Sequence, residues 1–136
     1  MNPSDAYHNT EQILRGSFDL HVHAGPDPVT QRRMDALDTA RQAQETQMAG
    51  FVLKSHYYPT ADLALALSRI YPDLNVVGAI VLNPHVGGLN PDAVQAAVAI
   101  GAKVVWMPTF GADFYRRSIG DGPGLRLTED SGDLKR

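Results

Sequence analysis

The chain has 136 residues, 43% hydrophobic and 20% charged, with a formal net charge of −3 and no cysteine. This length and apolar share suit one domain with a core, the acidic balance offers nucleic acid no basic surface, and the missing thiols leave only nitrogen and oxygen ligands for any metal. With no basic-then-apolar start and no run of about eighteen apolar residues, the sequence predicts neither a leader nor a membrane span, and a cytoplasmic protein.

Residues 1–16 are polar and read as a lead-in, with one helical turn around Thr10 to Arg15 stopped by Gly16. Phe18 to His23 is predicted as a strand, with Phe18, Leu20 and Val22 on one face and Asp19, His21 and His23 on the other. Gly25-Pro26-Asp27-Pro28 interrupts the chain. Thr30 to Met48 then runs without Gly or Pro, and Met34, Leu37, Ala40, Gln44 and Met48 recur at helical spacing, so a helix ending before Gly50 is expected. Phe51 to His56 is a second apolar strand with a polar end. Thr60 is expected to cap a helix over Ala61 to Ile70, stopped by Pro72. Asn75 to Leu82 is a third strand, followed by a loop over Asn83 to Leu89. Asn90 as cap and Pro91 in the first turn begin a third helix that ends at Gly101. Lys103 to Pro108 is a fourth strand.

From Thr109 onward glycines punctuate the sequence without apolar periodicity, and a long loop beside the strand ends is expected. The organisation is therefore a lead-in over 1–16, a partial βα unit over 17–110, and a glycine-rich loop with a flexible tail over 111–136. Strands alternating with helices imply an α/β fold of parallel, right-handed βα repeats. Four strands are half of what a closed (βα)8 barrel of roughly 250 residues requires.

The chemistry gathers at the strand ends. His21 and His23, on one face of one strand, can give two imidazoles to zinc, iron, nickel or a related ion. Asp19 lies one layer deeper, as a partner that orients an imidazole or as a structural hydrogen-bond group. Lys54 and His56 share a face at the end of the neighbouring strand, so all four side chains are expected to converge. Lys54 is either a neutral base near cations or an ion-pair partner of Asp19. His56 is either a ligand or substrate contact, or a loop-capping histidine. His85, after the third strand, is a substrate contact or an ordinary surface residue. Thr109 follows the fourth strand towards the substrate side, ahead of Asp113, Tyr115, Arg116 and Arg117. These arginines are read as solvated, with an anionic group as the alternative. Trp106 and Met107 are read as core, and His8 as exposed. Gly87-Gly88 lacks the context of a phosphate loop, and neither a nucleophile elbow nor a dinucleotide fingerprint is present.

Asp19-Leu20-His21-Val22-His23, at the head of a βα repeat, resembles the start of the metal-dependent hydrolases of the amidohydrolase superfamily. Gly50 to Thr60, Gly78 to Pro91 and Trp106 to Thr109 are similar to one branch of it, so the likeness spans residues 17–110. The resemblance implies the first half of a TIM (βα)8 barrel with one or two divalent ions at the C-terminal strand ends, zinc first and manganese or iron next. It implies His21 and His23 as the first-strand metal pair, supported from below by Asp19; His56 and Lys54 are added as further ligands and catalytic groups from their shared place at the neighbouring strand end. The family's carboxylated lysine lies on the fourth strand. Here that strand carries only Lys103, at the wrong end, and Lys54 lies on the second. The implied activity is hydrolysis of a cyclic amide, lactone or related carbonyl compound by metal-activated water, with a small-molecule substrate and neither nucleic acid nor membrane as partner. The later-strand ligands of the family have no counterpart here, so the site is expected to be completed by a second copy or a complementary half-barrel. A non-catalytic metal-binding assembly module and a His-x-His phosphoesterase of the polymerase-and-histidinol-phosphatase type are the alternatives.

Overall fold

Short apolar runs, each followed by a helix, order this chain, and the computed structural model describes residues 12–129 and 132–134. The elements are β1 (Phe18–Val22), α1 (Ala36–Glu45), β2 (Gly50–Leu53), α2 (Ala61–Ile70), β3 (Asn75–Val77), β4 (Ala79–Val81), α3 (Pro91–Ile100), β5 (Val104–Trp106) and α4 (Asp113–Ser118), with a 3-10 turn at Pro84–Val86. Two parallel sheets result, one in the order β1-β2-β3 and one pairing β4 with β5. The fold is α/β, as the alternation of elements predicts.

The predicted third strand is one run in sequence and two strands in space. β3 pairs with β2 in register Phe51 to Val76, whereas β4 pairs with β5 in register Ile80 to Val105. The pairing changes partner at Gly78, where a Cβ would lie 2.5 Å from the Cα of Ala61. Only glycine lets the start of α2 press this close. Thr60 fills the gap so created: its hydroxyl donates to the Leu53 carbonyl at 2.6 Å and accepts from the Ala79 N–H at 2.9 Å, and its own N–H donates to the Ala79 carbonyl at 2.9 Å. Thr60 therefore occupies the N-cap position of α2 without a side-chain cap bond. Its hydroxyl stands in for a rung between β2 and β4. Asn90, by contrast, caps α3 as expected, accepting from the Asp92 and Ala93 N–H groups.

The first helix begins six residues later than its periodicity suggests. Met34 and Ala36 bond the backbone of Gly25, and Asp27 holds the turn by accepting from the Val29 and Thr30 N–H groups and pairing with Arg32 at 2.7 Å. Asp35 then caps α1 through the Asp38 N–H at 2.8 Å. The stretch from Thr109 departs further from its expectation as a loop. It contains α4 and folds back through Leu125, whose N–H and carbonyl bond Gly111 and Asp113. Residues 12–14 are helical and Arg15 follows in a turn; Thr10 and Glu11 of the predicted N-terminal turn, His8, and Asp130 and Ser131 of the last turn lie outside the described residues.

Two apolar clusters follow the two sheets. Ala40, Phe51, Leu53, Leu67 and Val76 centre the first, and Ile80, Leu82, Ala97 and Ala102 the second. Among the described residues β1 and β5 pair on one side only, and no helix is long and apolar enough to cross a membrane.

Candidate metal centre

Because the paired strands are parallel, their C-terminal ends come out on one rim. β1 delivers His21 and His23 there. The Lys54 N–H donates to the Val22 carbonyl at 2.8 Å, extending the ladder one step past β2 and setting Lys54 beside the histidine pair. The Leu82 N–H donates to the Trp106 carbonyl at 2.9 Å and does the same for β4 and β5, so Asn83, Trp106 and Thr109 reach the same rim. Strand ends are where a sequence can place polar groups without interrupting a ladder.

His21, His23, Lys54 and His56 converge. The Nε2 atoms of His21 and His23 are 3.0 Å apart, and the Lys54 Nζ is 3.3 Å from the His21 Nε2. Two nitrogens on one tetrahedral ion with bonds of about 2.05 Å would be about 3.3 Å apart, so the imidazole pair is spaced to share an ion. His23 stacks on His56 with ring centroids 4.6 Å apart, and His56 stacks in turn on Phe110 at 4.0 Å. The Lys54 Nζ lies 4.3 Å from the Trp106 ring centre. Among the described residues no group of three or more His, Cys, Asp or Glu side chains is arranged to hold a metal. The nearest third nitrogen to the pair is an amine.

The electrostatics favour neutral nitrogens. Burial lowers the pKa of Lys54, which is 4% exposed. Burial, then the charges of Arg32, His21 and Lys54, lowers that of His23. His56 is pushed from its ordinary 6.5 to about 4, chiefly by burial, with His23, Lys54 and Arg32 adding to it. Burial thus disfavours the charged forms of His23, Lys54 and His56 alike.

Asp19 takes a different place from the one expected. Its Oδ1 accepts from the backbone N–H of His21 at 2.9 Å, so it braces the strand and touches neither an imidazole nor Lys54. Thr109 meets His56: its Oγ is 2.8 Å from the His56 Nδ1. His85 is exposed and packs edge-on against Tyr57 at 4.8 Å. Both line an open cleft of about 660 Å³ with Phe110, Tyr115 and Arg116. Arg116 pairs with Asp121 and Arg117 with Asp113, so neither stands ready for an anion.

Three residues at the site are not assigned to it from the sequence. Trp106, expected in the core, faces Lys54 and His21. Phe110 covers His56. Asn83 is fully buried and ties the site together: its Nδ2 donates to the His56 carbonyl at 3.1 Å and to the Thr109 Oγ at 3.0 Å, and its Oδ1 accepts from the Thr109 and Gly111 N–H groups. A polar residue directly after an apolar strand and before Pro84 is the one available cue.

The model of a family described as a family of unknown function (DUF6282) matches residues 16–136. No curated protein and no solved structure matches the chain.

Proposed function

The chain belongs to this family of unknown function, and from that premise and its rim of nitrogens we propose that it is a metal-dependent hydrolase of amidohydrolase type. The carrying observation is the pair of converging imidazoles, 3.0 Å between Nε2 atoms, with an uncharged-leaning amine 3.3 Å from one of them. The consecutive parallel order of the strands supports assigning them to the first part of a (βα)8 barrel, whose sites lie at this rim.

In this proposal His21 and His23 hold the ion, zinc first and manganese or iron next, and Lys54 is the third group beside it. A divalent ion there supplies Lewis acidity towards a carbonyl oxygen and makes a water acidic near neutral pH. Lys54, whose charged form burial disfavours, would take up the proton released by such a water or carry a carboxylate group formed with carbon dioxide. Trp106 packs against His21 and Phe110 against His56, and the cleft by Tyr57 and His85 admits a small carbonyl substrate, a cyclic amide or lactone.

Elemental analysis of protein purified without chelator tests the reading: one divalent ion per chain is expected. His21→Ala and His23→Ala should each weaken binding by more than the roughly 10- to 100-fold typical of losing an outer-sphere partner, and both should abolish hydrolysis across a panel of cyclic amides and lactones. Protein that takes up no ion sinks the proposal. Metal uptake without hydrolysis of any panel member would favour the second reading, a metal-binding module without catalysis, to which the lack of a third His, Cys, Asp or Glu ligand among the described residues lends weight.

A further inference from the structure

The hydrogen-bond chain behind His56 decides what that histidine can do. Asn83 has no freedom of orientation, because each end of its amide faces backbone groups of fixed polarity. Its Oδ1 accepts from two N–H groups, Thr109 at 2.9 Å and Gly111 at 3.1 Å, and its Nδ2 donates to the His56 carbonyl. The second Nδ2 proton goes to the Thr109 Oγ at 3.0 Å. The Thr109 hydroxyl thus has one proton left to place, and two acceptors within reach. The Asn83 Oδ1 is 3.4 Å away with both lone pairs already engaged; the His56 Nδ1 is 2.8 Å away. The proton belongs on the path to His56.

We infer that the Asn83–Thr109 chain holds His56 as the Nε2–H tautomer, which makes it a neutral hydrogen-bond donor to an oxygen acceptor of the ligand and keeps it out of the metal's ligand set. An imidazole whose Nδ1 accepts from Thr109 must carry its own proton on Nε2, and a protonated nitrogen has no lone pair for a cation. The Nε2 atom has no partner among the described residues. The only buried side-chain atoms left unpartnered there are Ser17 Oγ and Trp106 Nε1, so the His56 Nε2 opens to solvent. It does so beside the imidazole pair, with Phe110 and Tyr57, two walls of the cleft, against its ring. A fixed N–H at that place is suited to an acyl oxygen on which negative charge develops. Asn83 and Thr109 are positioning residues for it. The nature of the ligand rests on the proposed function; the tautomer does not.

Long-range nitrogen–proton correlation spectra of the full chain with 15N-labelled histidine, at neutral pH with and without zinc, test the inference. His56, assigned with His56→Gln, is expected to show a protonated Nε2 and an unprotonated Nδ1, and to keep that pattern when zinc is added. Thr109→Val should turn it into a mixture of tautomers, and Thr109→Ser should restore the single form. A protonated Nδ1 in the unaltered chain overturns the inference, as does loss of the Nε2 proton on zinc addition. Zinc that leaves His21 and His23 unmoved would defeat the metal reading and leave the tautomer assignment standing, so the two failures are told apart.

Discussion

The His56 imidazole, buried between His23 and Phe110, has its pKa pushed from 6.5 to about 4. In the unfolded chain the same group titrates at its ordinary value. Between pH 6.5 and about 4 the unfolded state therefore binds a proton that the folded state refuses, and stability is complete above that window and falls as pH drops through it. His23 is shifted in the same direction and adds to the slope. Urea midpoints of chelator-treated protein should decline from pH 7 to pH 5, and His56→Gln should flatten the decline; a variant with the full slope would clear His56 of the effect. At this scale the sequence was legible where two-residue periodicity sets the face: His21 meets His23, and Lys54, one step past β2, comes beside His21. Asn83 and Thr109 were not, since their partnership links residues 26 apart in sequence, and no local pattern marks it. Asp19 shares the predicted face, yet a carboxylate two residues before an N–H can close a local ring with it, and that contact wins.

The elements divide in the same way. α3 starts where Asn90 and Pro91 put it, because caps and prolines act locally, and α2 starts after Thr60 as expected although the Thr60 hydroxyl bonds Leu53 and Ala79 instead of capping it. α1 starts late because the Asp27 turn and the Gly25 backbone claim the preceding residues, which helical periodicity cannot register. α4 was hidden because nothing in it is buried and its place is held by backbone bonds from Leu125 and the Asp113 carboxylate on Gly124. The division of the predicted third strand is the largest departure. An apolar run shows that a strand exists but not where it changes partner; the glycine inside it was the only hint. Gly78→Ala should cost at least about 2 kcal/mol, since the added carbon meets the backbone of Ala61 and Thr60 rather than a side chain able to move. Chemical denaturation measures this, and a near-neutral result would mean the approach of α2 to β4 is looser than drawn here.

Across the whole molecule, the α/β alternation was plain in sequence, while the existence of two sheets and two apolar clusters was not, because that division depends on a contact between Thr60 and Ala79. The site draws on both halves: His21, His23, Lys54 and His56 come from the first, Asn83, Trp106 and Thr109 from the second. The rim is thus assembled only when the halves are in register. The Thr60 hydroxyl, taking the place of a backbone rung, has a kinetic consequence. Local opening in proteins proceeds by cooperative units of contiguous structure, and here the Thr60 side chain bridges the boundary between the two sheets. Amide hydrogen exchange should resolve two protection levels, one for β1, β2 and β3 and one for β4 and β5, with the Ala79 amide as slow to exchange as its strand neighbours although a side chain holds it. Thr60→Val keeps the shape and removes the bond. It should speed exchange at Ala79 by about fivefold, as expected for a lost bond of about 1 kcal/mol, and widen the gap between the two levels. A uniform rise across both sheets would mean that the molecule opens as one unit.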